Sequence, residues 1–550
     1  MNSSNRPTLE EARARLRELG YLDAGVERIL FRPVFEGRGL GGPWLPAILL
    51  GAFGGALASV AAIEAAEGFA SLGSAAVVFL HLFLADLLPA ALLAALLSPL
   101  ADRSRAPGPA ATAAGLAAAA VVFLMWILGT RGLEREISTR ALLWGIPIGV
   151  ASLFLAAAVR LAFLARAFAR SGTLPGRAAR RLFAGAAAAG LLVATLLFFS
   201  RREPEPVPAP QPSPRHAPTV VLAIDGLDLD GPGRPAQVAA LLARGATGWW
   251  PAERLTPPEL WTGLASGEPA RRHGVRALTR VRPLGSRESL RPPIGTSWYF
   301  RRLGPLLRTV ASAPVSGADR RRLNFWEVAA SAGIPSLSVG WWASAPWPGA
   351  TVVDNRAVLS GARDGTEADR VARDLFAQRI RDRKGYGVET LYLPGCDIGR
   401  DDPVSRQGAI TQIEMLLKLY IAHAERGDLV LVVLAADSHP GSPAALGRMV
   451  VFDPTSPAAD TDVARGAGAG SEMKSVRVSA SDAAPSILAR SGVPVARDLP
   501  GRPAAALFAP GALETATVAT YGPRIVPPSA AAPESDREYL EKLRSLGYLK

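Results

Sequence analysis

The stretch Thr219-Val220-Val221-Leu222-Ala223-Ile224-Asp225-Gly226 decides the fold. Its apolar, β-branched run reads as a buried strand that delivers an acid and a glycine to its carboxyl end, which is where open α/β sheets place their chemistry. A run of helical character follows, ending at Leu241-Leu242-Ala243-Arg244-Gly245. Then comes Leu255-Thr256-Pro257-Pro258-Glu259-Leu260-Trp261-Thr262-Gly263-Leu264-Ala265-Ser266-Gly267, closed by His273-Gly274-Val275. A hydroxyl at the start of that second helix would sit in the positive field of the helix end, suited to holding a phosphate.

Working outward, short apolar runs alternate with helical ones: Val220–Ile224, Ser336–Val339, Val388–Tyr392 and Leu429–Leu434 read as strands. That alternation is the pattern of an α/β domain with a mostly parallel sheet covered on both faces. The domain is expected over residues 219–510, with 511–550 a C-terminal tail ending in a helix.

A chain of 550 residues is too long for one core and implies two or more units. Hydrophobic residues make up 49% and mean hydropathy is +0.19, because apolar residues crowd the first two hundred positions. The formal charge is +13. No nucleic-acid motif or aromatic-interleaved basic groove accompanies it, so arginine beside membrane helices is the plainer reading and no nucleic-acid partner is expected. The single cysteine, Cys396, excludes an intrachain disulfide and does not decide the compartment.

Residues 1–43 form a polar, Arg-rich amphipathic segment, expected in the cytoplasm. Five apolar runs follow: Trp44–Ile63, Leu72–Leu97, Ala110–Leu128, Leu142–Val159 and Leu182–Phe199. Each is about long enough to cross hydrocarbon at about 1.5 Å per residue, which predicts an all-α transmembrane bundle of five helices over 44–200. Arginines gather in the leading segment and in the second and fourth loops, so the amino terminus is predicted to be cytoplasmic and everything after Ser200 periplasmic or extracellular. The chain thus reads as an integral protein of a bacterial-type inner membrane, with the lipid bilayer as its first partner. Asp86, with His81 just before it, falls within the second run. It is either a functional group or an interior carboxylate bonded to a neighbouring helix, with Arg160 as a partner. The alternating prolines of residues 201–218 predict an extended spacer. One repeat stands out: Arg15-Leu16-Arg17-Glu18-Leu19-Gly20-Tyr21-Leu22 nearly returns as Lys542-Leu543-Arg544-Ser545-Leu546-Gly547-Tyr548-Leu549. It reads as two similar amphipathic helix ends.

The segment from Asp225 to His273 resembles the alkaline phosphatase superfamily in its type I phosphodiesterase/nucleotide pyrophosphatase branch. The resemblance covers about residues 218–510. It extends through Asn324-Phe325-Trp326-Glu327-Val328, Val339-Gly340-Trp341-Trp342 and Ser481-Asp482-Ala483-Ala484-Pro485, to Asp498-Leu499-Pro500-Gly501-Arg502. It implies an alkaline-phosphatase-like sandwich holding two divalent metals, usually zinc, with three Asp, three His and a Ser or Thr nucleophile. Such a clamp stabilises the attacking and leaving oxygens of a phosphoryl transfer.

Matched residue by residue, Asp225 takes the place of the first Asp and Asp397, after Leu391-Tyr392-Leu393-Pro394-Gly395-Cys396, that of the second. Where a His should follow four residues on, the chain has Asp401. Asp437-Ser438-His439 stands for an Asp-His pair, with one residue inserted. No histidine lies between Gly441 and Ser481, where the last ligand belongs, and only His81, His216, His273, His423 and His439 exist in the chain. His273 matches a family His-Gly that is not a ligand, and His423 reads as a helix-face residue. The nucleophile position falls on Pro257, which leaves the adjacent Thr256, read either as a helix N-cap or as the attacking hydroxyl.

Two readings of function stand. In one the domain is a degenerate member of the superfamily, a binding or assembly module with weak or no hydrolysis and a divalent-metal site, zinc or other, at most partly occupied. In the other it is an active metal-dependent phosphodiesterase or a lipid-headgroup phosphotransferase using Thr256. Candidate metal residues in both are Asp225, Asp397, Asp401, Asp437 and His439, and the ligand is a phosphodiester or another molecule of the envelope.

Overall fold

The computed structural model describes residues 44–66, 72–103, 107–130, 145, 148–149, 151–160, 162–164, 209–213, 217–229, 235–251, 255–286, 290, 299–383, 385–437, 446–453, 475–524 and 533–549. The amphipathic segment 1–43, most of the linker and the fifth apolar run lie outside the described residues. The chain divides into two compact units: residues 1–202 with 281–311, and residues 203–280 with 312–550.

The first unit contains three long helices, α1 (Leu45–Ala66), α2 (Leu72–Arg103) and α3 (Pro107–Thr130), with α1 packed on both others. Small residues face inward, Ala47, Ala58, Ala61, Ala94, Ala111 and Ala118 among them, which lets the backbones approach closely. Leu80, Leu84, Leu88, Leu92, Leu96 and Leu100 form an apolar stripe along α2 that is more than half exposed throughout, the reverse of a water-facing helix. Among the described residues two helical stretches, Gly73–Ala101 and Pro107–Leu124, are long and apolar enough to cross a membrane, with shorter apolar ones at Ala47–Ile63 and Ala151–Leu164. This departs from the expected five: the first and fourth runs give only the two shorter stretches, and the fifth lies outside the described residues.

The excursion 281–311 has no counterpart in the boundaries drawn from sequence. It packs Leu290, Tyr299 and Phe300 against Val60, Ile63, Val78 and Leu82 of α1 and α2. His81 joins it by two bonds of 2.9 Å, to the Leu284 carbonyl through Nε2 and to the Tyr299 hydroxyl through Nδ1. A carbonyl only accepts, so Nε2 carries the proton and Nδ1 accepts from the tyrosine.

The second unit is built on an eight-stranded sheet. Its strands are β1 (Thr219–Asp225), β2 (Ala246–Trp250), β3 (Ser336–Val339), β4 (Ala350–Val353), β5 (Val388–Leu393), β6 (Val430–Ala436), β7 (Gly447–Phe452) and β8 (Ser475–Arg477). They lie in the order β8-β2-β7-β6-β1-β5-β3-β4, and only β7 runs against its neighbours. The four strands read from sequence are β1, β3, β5 and β6, side by side with β4 in the parallel half. Period-two alternation divides their side chains between two cores. Val221 and Ala223 join Trp261, Trp341 and Tyr392 on one face; Val220, Leu222 and Ile224 join Leu391, Val433 and Ile413 on the other. Both faces are covered, so the strands are apolar on both sides.

Beneath the first core lies a fully buried ion network. Arg320 donates to both carboxylate oxygens of Glu327 at 2.6 Å, and Arg524 Nε donates to the same group at 3.2 Å. Burial alone would raise the Glu327 carboxyl, but the two guanidinium groups hold it below the usual carboxylate range. Removing one partner of a buried pair strands the others. Glu327→Ala is therefore expected to cost about 3–5 kcal/mol in chemical denaturation. Because the folded value is depressed, the Glu327 contribution is present above the unfolded pKa and lost as pH falls through the folded one. The stability lost on acidification should shrink in the variant.

Candidate functional site at the carboxyl edge of the sheet

Three adjacent parallel strands, β5, β1 and β6, end together. Ile224 lies opposite Leu393 on one side and Ala435 on the other, and Asp225 lies opposite Ala436. Asp225, the turn after Leu393 and Asp437 therefore leave the sheet at one edge. Asp397 sits in the short helix α4 (Gly395–Ile398), drawn close by Gly226. That glycine has φ +78° and donates its N–H to the Ala436 carbonyl at 2.9 Å. A Cβ there would stand 2.5 Å from the Asp397 backbone nitrogen, so no other residue admits this approach.

Asp225 is wholly buried. Its Oδ2 accepts from the Trp261 indole N–H and the Tyr392 hydroxyl, both at 2.8 Å, and Tyr392 in turn accepts from the Trp342 indole N–H at 2.9 Å. Burial and then the charge of Asp397 hold the Asp225 carboxyl well above the usual range. Burial likewise raises the Tyr392 hydroxyl, as does the Asp225 charge. The remaining two acids share one cation. Arg400 grips Asp437 with both ends of its fork, Nη1 to Oδ2 at 3.0 Å and Nη2 to Oδ1, and Nη2 also reaches Asp397 Oδ1 at 3.2 Å. These carboxylates retain only 3% and 8% side-chain exposure, so the guanidinium acts where screening by water is weak.

The chain end belongs to the same neighbourhood. Leu543 and Leu546, at the end of the helix Pro533–Ser545, enter the core that contains Trp261 and Tyr392. The Tyr548 ring meets Trp342 edge to face at 5.5 Å between centroids, and its hydroxyl is buried without a hydrogen-bond partner. Burial, then the charges of Asp397 and Asp225, push that hydroxyl upward.

Of the residues expected in the site, Asp225, Asp397 and Asp437 are brought together. Asp401 is exposed: α4 stops at Ile398, so the helical register that would return position 401 over Asp397 is lost. His439 lies outside the described residues. Thr256 occupies the N-cap position of the helix Pro257–Ser266, but its side chain makes no capping bond; the hydroxyl donates to the Arg276 carbonyl at 3.4 Å. His273 is buried, accepts from the Val275 N–H, and is driven down to about 3 by burial, with Arg320 and Arg276 adding to it; it is neutral at any working pH. His423 lies on an exposed helix face beside Asp428.

The superfamily's metal pair is tested by these donors, and as placed they do not fit it. One Asp225 oxygen is already engaged by two hydrogen-bond donors, and a guanidinium lies on the other two acids. Among the described residues no three His, Cys, Asp or Glu side chains are grouped to hold a metal ion. The residues that sequence reasoning passed over are Arg400, Tyr392, Trp342 and Tyr548. Arg400 had a signal: it stands only three residues after Asp397, close enough in the chain to reach it.

No family model matches the chain, and no curated protein matches it. Solved structures do. A murine ectonucleotide pyrophosphatase/phosphodiesterase 5, an inactive variant in complex with AMP, is 15% identical over 40% of this chain and 56% of its own, with a TM-score of 0.27. Phosphonate monoester hydrolase from Silicibacter pomeroyi is 14% identical over 52% and 76%, TM-score 0.32. The integral membrane lipooligosaccharide phosphoethanolamine transferase A from Neisseria meningitidis is 11% identical over 81% and 94%, TM-score 0.28. The chain spans just over half of the first.

Tyr392→Phe deletes the hydroxyl that links Trp342 to Asp225 and leaves a buried indole N–H without its acceptor. It is expected to destabilise the protein by about 1–3 kcal/mol in urea titration.

Proposed function

We propose that the chain is a membrane-anchored protein whose second unit is an extracytoplasmic, alkaline-phosphatase-type domain with a degenerate metal site, serving as a binding or assembly module. The observation that carries this reading is Arg400, whose guanidinium lies between Asp397 and Asp437 where the family resemblance implies a metal. A guanidinium balances the acids but does not ionise a hydroxyl or hold an exchangeable water, so the site lacks the Lewis acid that phosphoryl transfer to Thr256 would need. The exposed leucine stripe of α2 and the arginine asymmetry of the sequence support the membrane anchor and its direction.

The full chain, purified in lipid nanodiscs, is expected to retain at most one tightly held divalent ion per chain by elemental analysis. It should show little turnover of aryl phosphodiesters. Arg400→Ala should cost about 2–3 kcal/mol, less than for a fully buried pair because the arginine side chain keeps 19% exposure. Manganese or magnesium should recover part of that loss while leaving the unaltered protein's melting unchanged. Two zinc ions per chain, with turnover abolished in Thr256→Ala, would establish the active phosphodiesterase or headgroup transferase instead.

For topology, a reporter active only outside the cytoplasm, fused after Lys550, is expected to be active. An expressed but silent fusion would place the domain on the other side.

A further inference from the structure

The first unit holds a polar group that the proposed function does not use. Asp86, in the middle of α2, is 7% exposed and its Oδ2 has no hydrogen-bond partner. Arg160, the cation that the sequence offered for it, is exposed. The carboxylate lines a cavity of about 330 Å³ whose other walls are mainly apolar, among them the Trp44 ring, Ala90, Leu97, Val122 and Leu155. Gly55 makes room for the acid: a Cβ there would stand 2.6 Å from Asp86 Oδ2.

A carboxylate walled by hydrocarbon is costly unless it takes up a proton or a cation or donor meets it. Water is a poor candidate, since it needs two to four polar partners, and the cavity's polar side-chain groups are the Asp86 carboxylate and a Trp44 indole N–H that is itself shielded from solvent. An alcohol would offer a single donor and no charge, whereas an ammonium offers three donors and the opposite charge. The apolar walls ask for a chain behind that head. At about 330 Å³ the cavity stands at the small end of the usual range of ligand pockets, which suits one chain and not two.

We propose that this cavity binds a single-chain cationic amphiphile, a protonated primary amine seated on Asp86 with its alkyl chain along the walls between α1, α2 and α3. The site is independent of the second unit and of whether that unit catalyses anything.

The test uses the full chain in nanodiscs of zwitterionic lipid and a photoreactive long-chain primary amine as probe, with the matching alcohol and carboxylic acid as comparators. Saturable labelling is expected at cavity residues such as Leu93 and Val121, with the alcohol and the acid at least about tenfold weaker. Asp86→Asn, nearly the same shape, should weaken the amine about tenfold and bring it level with the alcohol. Ala118→Leu, which fills the cavity without touching the acid, should weaken amine and alcohol together. Equal labelling by amine and alcohol in the unaltered protein overturns the proposal, as does an Asp86→Asn protein that labels like the parent. The comparison of the three probes uses the unaltered chain, so it decides the matter even where a variant does not fold.

Discussion

Everything at the carboxyl edge of the sheet depends on how three acids are kept together out of water. Asp225, Asp397 and Asp437 leave neighbouring strands or the turn beyond one, and like charges so placed repel unless cations or donors intervene. The chain divides the work. Trp261 and Tyr392 donate to the deepest acid, and Arg400 spans the other two. This requirement explains the aromatic cluster above the strand ends. Trp261, Trp341 and Tyr392 meet at ring separations of 5.2–6.1 Å, which fixes the indole and phenol that must point at Asp225. Gly226, the only residue type that admits the Asp397 backbone, completes the arrangement.

Much of this fold is written locally. The runs at Val220, Ser336, Val388 and Leu429 are apolar on both alternations, and a strand buried on both faces needs nothing more to be recognised. The acids at their ends were legible for the same reason, since a carboxylate that closes a buried strand has few structural uses. What could not be read was which group neutralises them. A metal is betrayed by histidine spacing, whereas Arg400 is one arginine among many in a chain of net charge +13. The excursion 281–311 was hidden differently: its anchors, Leu290, Tyr299 and Phe300, are scattered, and only the fold brings them to α1 and α2.

The terminal repeat shows why a bland reading of sequence can be incomplete. Lys542–Leu549 does end an amphipathic helix, as its pattern says. Yet Leu543 and Leu546 enter the central core, and Gly547, at φ +84°, turns the chain so that Tyr548 reaches Trp342. The helix is held at its other side by Arg356, which pairs with Asp536 at 2.8 Å and lies over the Tyr539 ring, while the Tyr539 hydroxyl donates to Asn355. The tail is therefore part of the site's wall. Helical periodicity identifies the apolar face but says nothing about what that face covers.

On the proposed reading, an arginine stands where the family resemblance implies a metal, and that has a physical consequence for the fold. A divalent ion binds by replacing water and stabilises its ligands' arrangement only as far as it is bound, so that stabilisation varies with metal supply. A guanidinium is permanently charged, tethered to the backbone, and matched in plane to a carboxylate. It holds Asp397 and Asp437 in place at any metal concentration. On that reading, the acids then keep their arrangement without depending on metal supply.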